Sequence, residues 1–220
     1  MRMRKKKHGA ERIAACAEIL IQTPETLKDD PCKYFSDKDK ELCLEIGCGK
    51  GNFAVGTAAA EHSINLISME KVPDVCCIAL EKAMACKESR PDNLRFIIGD
   101  AANLEEWFPP HSLDRIYLNF SDPWPKAGHA KRRLTHRIFL ERYRNLLKAG
   151  GRLIFKTDNA GLFDFTLEEL EAVGVEIVWM TRDLHNSDRA ATNVMTEYEK
   201  NFSEKGFSIC SVEARFNRCR

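Results

Sequence analysis

Apolar and polar positions along this chain follow two patterns, and each pattern predicts a different kind of element. Continuous apolar runs predict buried strands, and the first five runs cover residues 42–47, 64–70, 94–98, 113–120 and 151–158. Apolar residues at helical spacing predict helices, and these segments lie near residues 51–61, 74–88 and 162–172. Because strands that alternate with helices favour parallel pairing through right-handed crossovers, the pattern predicts a doubly wound α/β sheet.

The two ends of the chain complete this prediction. Residues 173–180 predict a sixth strand, and residues 207–216 predict a seventh strand antiparallel to it, so we expect a seven-stranded, mostly parallel sheet. Residues 10–21 predict a short helix. We therefore expect a basic N-terminal arm, short helix and linker over residues 1–40, followed by a single domain over residues 41–220.

The composition is ordinary for a globular protein, but its charges are unevenly distributed. The 220 residues are 44% hydrophobic and 30% charged, with a formal net charge of +1, which suits one domain with a sizeable core. Residues 1–8 and 126–148 are strongly basic, whereas residues 168–176 are acidic. Solvated surfaces also carry such runs, yet the distribution is compatible with a face that binds a polyanion.

Cysteine spacing and hydropathy disfavour several classes of protein. None of the nine cysteines belongs to a C-x-x-C pair, so we expect reduced thiols and neither a zinc site nor a thioredoxin-like site. The chain has no run of 18 apolar residues, and no apolar segment typical of a signal peptide follows its basic N-terminus. These features predict a cytoplasmic protein without a membrane span or a metal ion.

The first candidate site is a glycine-rich turn after the first predicted strand. Gly47, Gly49 and Gly51 permit a tight turn and the close approach of an adenosine-type cofactor. A dinucleotide site favours G-x-G-x-x-G, whereas this motif is G-x-G-x-G and follows Glu45. Because a carboxylate repels phosphates but attracts an ammonium and a sulfonium, the motif favours S-adenosylmethionine over NAD. An ordinary connection between a strand and a helix is the alternative interpretation.

Acidic residues also stand at the ends of the next two predicted strands. Glu70 lies 19 residues after Gly51, which is the distance at which a carboxylate accepts hydrogen bonds from ribose hydroxyls. Asp100 and Ala101 follow the third strand. The Asp100 carboxylate has two possible roles at this position, as an acceptor for the adenine amine or as a helix N-cap.

The fourth predicted strand ends in an unusual proline-framed segment, NFSDPWPK at residues 119–126. Its two prolines favour extended conformations at Asp122 and Trp124. The indole could then stack on a base and the carboxylate could reach the base edge, although a packing role for the indole is the alternative. Residues 126–133 and the basic face of the next helix, which Gly150–Gly151 should end, favour phosphate contact with a structured RNA or DNA.

The last two predicted strands are joined by a long connection. It includes the sequence TEYE at residues 196–199, in which Thr196 and Glu199 have the spacing of a capping box. Capping of a helix is one interpretation of this pair. Ligand binding is the other, because long loops in compact domains are usually functional.

These motifs resemble those of one family, the bacterial tRNA (guanine-N7)-methyltransferases, and the similarity extends from Arg2 to Phe216. The glycine motif is generic to class I methyltransferases, whereas DPWPK at 122–126, KTD at 156–158 and TEYE at 196–199 are more specific. The resemblance implies a Rossmann-like class I fold and S-adenosylmethionine as the cofactor. It also implies methylation of guanine N7 at position 46 in the variable loop of tRNA.

The same resemblance implies roles for individual residues. Asp122 would be the catalytic residue. The cofactor would be bound by Glu45, Gly47, Gly49, Gly51, Glu70, Asp100, Ala101 and Asp122. The guanine would be bound by Lys126, Asp158, Thr196, Glu197, Tyr198 and Glu199, and the RNA would be contacted by Gly128, His129, Ala130, Lys131, Arg132 and Arg133. Ala127 and Gly128 stand where family members commonly have basic residues.

Two other functions fit parts of the pattern. A small-molecule methyltransferase that uses S-adenosylmethionine would share the glycine turn but would not need the basic arm or the basic helix. A non-catalytic RNA-binding module would keep the basic face and would not bind the cofactor. Oxidoreduction with NAD is disfavoured by the glycine spacing and by Glu45. The sequence leaves open whether the protein is a monomer or a homodimer.

Overall fold

A computed structural model describes residues 7–86 and 91–217 of the chain. Its strands are β1 Glu41–Ile46, β2 Ile64–Glu70, β3 Leu94–Ile98, β4 Leu113–Asn119, β5 Leu147–Thr157, β6 Glu176–Thr181 and β7 Cys210–Phe216. Within the described residues they form one seven-stranded sheet of order β3-β2-β1-β4-β5-β7-β6. Strand β7 is antiparallel to both β5 and β6. The predicted seven-stranded, mostly parallel α/β sheet is therefore confirmed.

The helices are short. They are α1 Gly9–Ala14, α2 Asn52–Ala60, α3 Pro73–Ala85, α4 Leu104–Trp107, α5 Arg137–Leu146, α6 Ala160–Ala172 and α7 Glu197–Ser203. Five 3₁₀ segments accompany them in the described part of the chain, at Pro24–Lys28, Ala101–Asn103, Ala127–Arg132, Leu184–Asn186 and Ala190–Thr192. Among residues 7–86 and 91–217, no helix combines the length and the apolar character that crossing a bilayer requires.

Contacts between residues divide the chain into two compact units. The first contains Met1–Pro109 and Val194–Glu197, and the second contains Pro110–Asn193 and Tyr198–Arg220. The expected division into an arm over 1–40 and a single domain stays a prediction. Residues 1–6 of that basic arm lie outside the described residues.

In the first unit, β1, β2 and β3 pair in parallel. Most of β1 and β2 is buried, which explains why their sequences are almost continuously apolar. The helix predicted over 10–21 is wrong beyond Ala14, where α1 ends. Buried Ile19 and Ile21 instead lie beside β3. The Phe96 N–H donates to the Ile19 carbonyl, and the Ile21 N–H donates to the Phe96 carbonyl, both at 2.8 Å. The unpaired edge of β3 therefore outcompetes helical spacing in this segment.

In the second unit, β4 and β5 pair in parallel and β7 lies between β5 and β6. Helix α5 buries Tyr143 and Leu146 on one face, as its amphipathic pattern predicts. The prediction that Gly150–Gly151 end this helix is wrong, because α5 ends at Leu146. The next residue, Leu147, already has extended dihedrals and begins β5 by pairing with β4.

Candidate active-site residues

The glycine turn connects β1 to α2 in the first unit. Gly47, Gly49 and Gly51 have φ values of 83°, 55° and 79°, in the left-handed region where a Cβ atom is unfavourable. The backbone N–H groups of Gly47 and Cys48 both donate to the carbonyl of Met69, at 2.8 and 2.9 Å. The turn is therefore held against the end of β2. Apart from each glycine and its chain neighbours, no described residue has an atom within 4 Å of the place that a Cβ would occupy on Gly47 or Gly49, so that side of the turn is open to a ligand.

Two of the predicted carboxylates support this turn. Glu45 is almost completely buried, and its Oε2 accepts a hydrogen bond of 2.9 Å from Ser68 Oγ. Glu70 accepts from the backbone N–H of Gly49 through Oε2 at 3.1 Å and from that of Val72 through Oε1 at 2.9 Å. Each carboxylate oxygen has two lone pairs. Glu70 can therefore hold the turn and still accept a hydrogen bond from a ligand hydroxyl.

Asp100 caps the 3₁₀ segment that starts at Ala101. Its Oδ1 accepts from the Ala102 N–H at 3.0 Å, and its Oδ2 pairs with the Lys71 ammonium at 2.6 Å. The capping interpretation of Asp100 is thus confirmed, whereas contact with an adenine amine stays a prediction. Neighbouring Ala101 is buried.

Residues 194–197 belong to the first unit, and they contain two of the predicted guanine-binding residues. Glu197 Oε1 accepts a hydrogen bond of 2.6 Å from Lys50 Nζ, and both side chains are partly exposed. Thr196 is half-buried. Lys50 stands inside the glycine motif but was not among the predicted site residues, and its contact with a residue 147 positions away has no local sequence signal.

The proline-framed segment of the second unit departs from its predicted conformation. Phe120 and Trp124 both have positive φ values, of 54° and 41°, so the extended conformation predicted for Trp124 is wrong. The cause is visible at Arg133, whose guanidinium donates to the carbonyl oxygens of Pro123 at 2.9 Å and Trp124 at 3.1 Å. Turning two successive carbonyls toward one guanidinium requires a sharp backbone bend, and non-glycine residues with positive φ often occur at functional sites.

Asp122 is exposed within this segment. The hydroxyl of the preceding residue, Ser121, is buried, and none of the described residues offers it a hydrogen-bond partner. Buried hydroxyls are normally satisfied by protein, water or ligand. The end of β4 therefore combines an accessible carboxylate with a polar atom that a bound molecule could satisfy.

The predicted RNA-contact residues surround the indole of Trp124. Arg132 lies over the ring, with its Cζ 4.9 Å from the centroid, and the His129 ring meets the indole edge-on at 5.8 Å. Lys131 is exposed next to them. Since Arg133 is engaged with the loop carbonyls, the cations most available to a phosphate are those of Lys131 and Arg132. Gly128 and Ala130 contribute backbone to the same turn.

Asp158 and Tyr198 meet in the second unit. The Tyr198 hydroxyl donates to Asp158 Oδ2 at 3.2 Å. Burial of the phenol, together with the nearby Asp158 charge, raises the pKa of Tyr198 to about 12. The Tyr198 ring stacks on Phe202 with centroids 4.2 Å apart, and its other neighbour is Phe120 at 5.1 Å. The phenol therefore stays neutral near pH 7 and is held by aromatic rings.

Glu199 differs from these two residues because its side chain is fully buried. Its carboxylate accepts hydrogen bonds from Lys156 Nζ at 2.9 Å, Asn193 Nδ2 at 2.6 Å and His185 Nε2 at 2.9 Å. Burial alone would raise the pKa of Glu199, but these partners favour the charged form and the pKa lies below its ordinary value. The three partners were not predicted as site residues, although Lys156 belongs to the KTD motif.

Comparison with solved structures identifies the class of fold. A structure described as an antibiotic-related methyltransferase matches 97% of this chain and 96% of its own, with a TM-score of 0.60 and 16% identity. Phosphoethanolamine N-methyltransferase 2 of Haemonchus contortus, solved in complex with S-adenosyl-L-methionine, matches 84% of this chain and 51% of its own, with a TM-score of 0.52 and 14% identity. At these identities the likeness concerns the fold, which is that of the class I, Rossmann-like methyltransferases.

Comparison of sequences identifies the family. The family model Methyltransf_4, described as "Putative methyltransferase", matches residues 39–212. The tRNA (guanine-N(7)-)-methyltransferase of Lactococcus lactis subsp. cremoris (strain SK11) is 42% identical over 217 residues, which are 98% of each chain. The chain belongs to the tRNA (guanine-N7)-methyltransferase family. The resemblance found in the sequence motifs is thereby confirmed.

Proposed function

We propose that this protein transfers a methyl group from S-adenosylmethionine to N7 of a guanine in tRNA. The observation that carries the proposal is the 42% identity, over 98% of both chains, to the tRNA (guanine-N(7)-)-methyltransferase of Lactococcus lactis subsp. cremoris (strain SK11). The finer target that we propose is the guanine at position 46 of the variable loop, as the motifs at 122–126, 156–158 and 196–199 imply.

The residues of the first unit suit S-adenosylmethionine. In our proposal the backbone of Gly47, Gly49 and Gly51 receives the cofactor with Ala101, and Glu45, Glu70 and Asp100 supply carboxylates. Asp122, a further carboxylate that the resemblance assigns to the cofactor, belongs to the second unit. The open side of the turn at Gly47 and Gly49 supports this assignment. Carboxylates suit a ligand that carries an ammonium and a sulfonium better than they suit a pyrophosphate. When bound, the cofactor supplies an electrophilic methyl group.

The chemistry requires little acid–base catalysis from the protein. Guanine N7 is a neutral lone-pair donor, so no proton must leave before it attacks, and the main requirement is alignment of the reacting atoms. Positive charge develops on the purine during transfer. We assign Asp122 the role of stabilising that charge, because its carboxylate is exposed at the end of β4.

Recognition of guanine requires acceptors for its N1–H and its exocyclic amine. We assign Asp158 to this role, because its carboxylate is only half-buried and is held by the Tyr198 hydroxyl. Within the second unit Lys126 and Tyr198 complete the proposed set of contacts. Thr196 and Glu197, which the resemblance also implies, belong to the first unit. A guanine contact through Glu199 would require its buried hydrogen bonds to open.

For the RNA we assign phosphate contact to the turn from Gly128 to Arg133. The exposed Lys131 and Arg132 are its strongest candidates, because Lys and Arg near phosphates release bound counterions and gain affinity. This assignment also favours tRNA over a small-molecule substrate, which would have no use for those cations.

The decisive experiment is incubation with labelled S-adenosylmethionine and unmodified tRNA, followed by nucleoside analysis. We expect 7-methylguanosine, and we expect none when 7-deazaguanosine, which lacks the N7 nucleophile, replaces the target guanosine. A small-molecule methyltransferase would bind the cofactor but would show no tRNA affinity at low salt. A non-catalytic RNA-binding module would bind tRNA and would release no heat with the cofactor in calorimetry.

A further inference from the structure

We propose that Lys156, His185, Asn193 and Glu199 form a buried anchor that positions Asp158 and Tyr198 for guanine binding. In this arrangement Glu199 acts through the anchor and does not itself touch the base. The inference rests on the proposed function, since it concerns how the guanine is held. It adds Lys156, His185 and Asn193 as positioning residues.

The anchor is a set of linked hydrogen bonds. Lys156 Nζ donates both to Glu199 Oε2 at 2.9 Å and to Asn193 Oδ1 at 3.0 Å, and Asn193 Nδ2 donates to Glu199 Oε1 at 2.6 Å. Each of these donors therefore faces an acceptor. His185 Nε2 lies 2.9 Å from the same Oε1, and since a carboxylate only accepts, that nitrogen donates.

Burial separates the anchor from the surface that a base could reach. The Lys156 side chain is 4% exposed and that of Glu199 is 0% exposed, whereas Tyr198 is 43% exposed and Asp158 is half-buried. A purine edge can therefore meet Asp158 without rearrangement. To meet Glu199 it would have to displace donors whose loss leaves a buried charge unsatisfied, which is costly.

The positions of the four residues along the chain explain what the anchor does. Lys156 is near the end of β5 and is followed at once by Thr157 and Asp158. The other three residues come from separate points of the connection after β6, in the segment 184–193 and in α7. Glu199 directly follows Tyr198. Lys156 thus bonds to two points of that connection, Asn193 and Glu199, and Glu199 bonds in turn to His185. Lys156 stands close to Asp158 in the sequence, and the Tyr198 hydroxyl lies 3.2 Å from the Asp158 carboxylate.

The test compares target sites that contain guanosine and inosine. Inosine keeps N7 and N1–H but lacks the exocyclic amine, and a site built to hydrogen-bond a group discriminates against an analogue without it. For Glu199→Gln and Lys156→Met we expect kcat/KM to fall by roughly 10- to 100-fold on both substrates, because a misplaced contact costs rates of this size. The guanosine-to-inosine ratio of kcat/KM should fall in both variants, but by less than in Asp158→Asn, because the displaced Asp158 still carries its carboxylate.

Two outcomes would overturn the inference. One is a change in the guanosine-to-inosine ratio in Glu199→Gln as large as that in Asp158→Asn, which would indicate direct contact with the amine. The other is independent action of Lys156 and Glu199. If they belong to one anchor, the double variant should lose no more activity than the worse single variant, since residues that act as a unit are not additive.

A milder pair of variants covers the case in which Lys156→Met fails to fold. The His185 side chain is 27% exposed, so its replacement disturbs the anchor from the edge. We expect His185→Leu to lower kcat/KM on both substrates and His185→Gln, which keeps a donor, to restore most of it. Loss of the same size in both His185 variants would contradict the anchor.

A second readout does not depend on methyl transfer. Amide hydrogen exchange over residues 184–199 should accelerate in His185→Leu and Lys156→Met but not in Asp158→Asn, because only the first two loosen the attachment to β5. Unchanged exchange in both anchor variants would refute the inference. If the wild-type protein forms no 7-methylguanosine, the proposed function fails, and the exchange experiment still decides whether the anchor exists.

Discussion

Substitution of Gly51 by alanine tests whether the packing of the glycine turn requires glycine at that position in this protein. Gly51 has a φ of 79°, and a Cβ placed on it would lie 2.7 Å from Ala79 Cβ and 3.0 Å from Ala79 Cα on α3. Two penalties therefore combine, one from the left-handed backbone and one from overlap with a neighbouring helix. Gly174 isolates the first penalty, because it has a φ of 65° and, beyond its chain neighbours, no atom of residues 7–86 or 91–217 lies within 4 Å of its Cβ position.

The two penalties give different magnitudes for the two variants. An alanine in the left-handed region costs about 1–2 kcal/mol, and the stiffer unfolded chain returns about 0.4–1 kcal/mol. We therefore expect Gly174→Ala to lower the free energy of unfolding by about 1 kcal/mol. Overpacking costs about 1–3 kcal/mol more, so Gly51→Ala should lose about 2–4 kcal/mol.

Urea unfolding measures this difference. With a slope of about 2 kcal/mol per molar, the midpoint should fall by about 0.5 M in Gly174→Ala and by about 1–2 M in Gly51→Ala. Calorimetry should also show weaker binding of S-adenosylmethionine to Gly51→Ala only, if the turn binds the cofactor as proposed. Equal midpoints for the two variants would refute the overlap with Ala79.

A third variant separates overlap from other effects at Gly51. Ala79→Gly alone should cost about 1 kcal/mol, because glycine is unfavourable inside a helix. In the Gly51→Ala background the same change removes the contact at 2.7 Å, so it should be neutral or stabilising. Additive losses in the double variant would contradict the account.

Three further predictions concern the proposed site. Asp122→Asn should lower single-turnover methylation by roughly 10²–10³-fold, the size found when a group that stabilises transition-state charge is lost; retention of the wild-type rate would exclude the assigned role. The double variant Lys131→Ala/Arg132→Ala should bind tRNA more weakly, and the slope of log affinity against log salt concentration should decrease in magnitude by about 2. Titrations that give the wild-type slope would show that these cations do not contact phosphates. The native pKa of Glu199 lies below its ordinary value of 4.5. Ionised Glu199 therefore contributes to the free energy of unfolding above pH 4.5, and this contribution is lost as the pH falls through the native pKa. Glu199→Gln should therefore unfold with a shallower acid limb than the wild type, and parallel acid limbs would contradict the lowered pKa.

The parts of the fold that the sequence predicted best are those buried on both faces. The bounds of β2 and β3 match the predicted runs at 64–70 and 94–98, because parallel strands covered on both sides read as continuous apolar sequence. Residues 19–21 share that apolar character but were predicted as helix, because the open edge of β3 beside them supplies partners that periodicity does not reveal. The start of β5 at Leu147 was missed for a similar reason, since pairing with β4 overrides the two glycines that follow.

Local spacing predicted the glycine turn and the acidic residues near it because their function depends on neighbours in sequence. Trp124 shows the limit of such arguments. Its flanking prolines predicted an extended backbone, but Trp124 has a positive φ. The guanidinium of Arg133, nine residues away, donates a hydrogen bond to the Trp124 carbonyl in this conformation. A distant cation therefore outweighs the preference of the residue before a proline, which amounts to a bias and not to a prohibition.

Glu199 shows why the role of a motif residue cannot be read from the motif. Its spacing from Thr196 predicted a helix cap or a ligand, whereas its carboxylate meets a lysine 43 residues away in sequence. An apolar contact between β5 and this connection would tolerate small shifts, because hydrophobic burial has no direction. The hydrogen bonds to Lys156, Asn193 and His185 are all satisfied in one arrangement only, and a buried charge makes other arrangements costly. The chain therefore gains a defined position for Asp158 and Tyr198 from residues that a base need never touch.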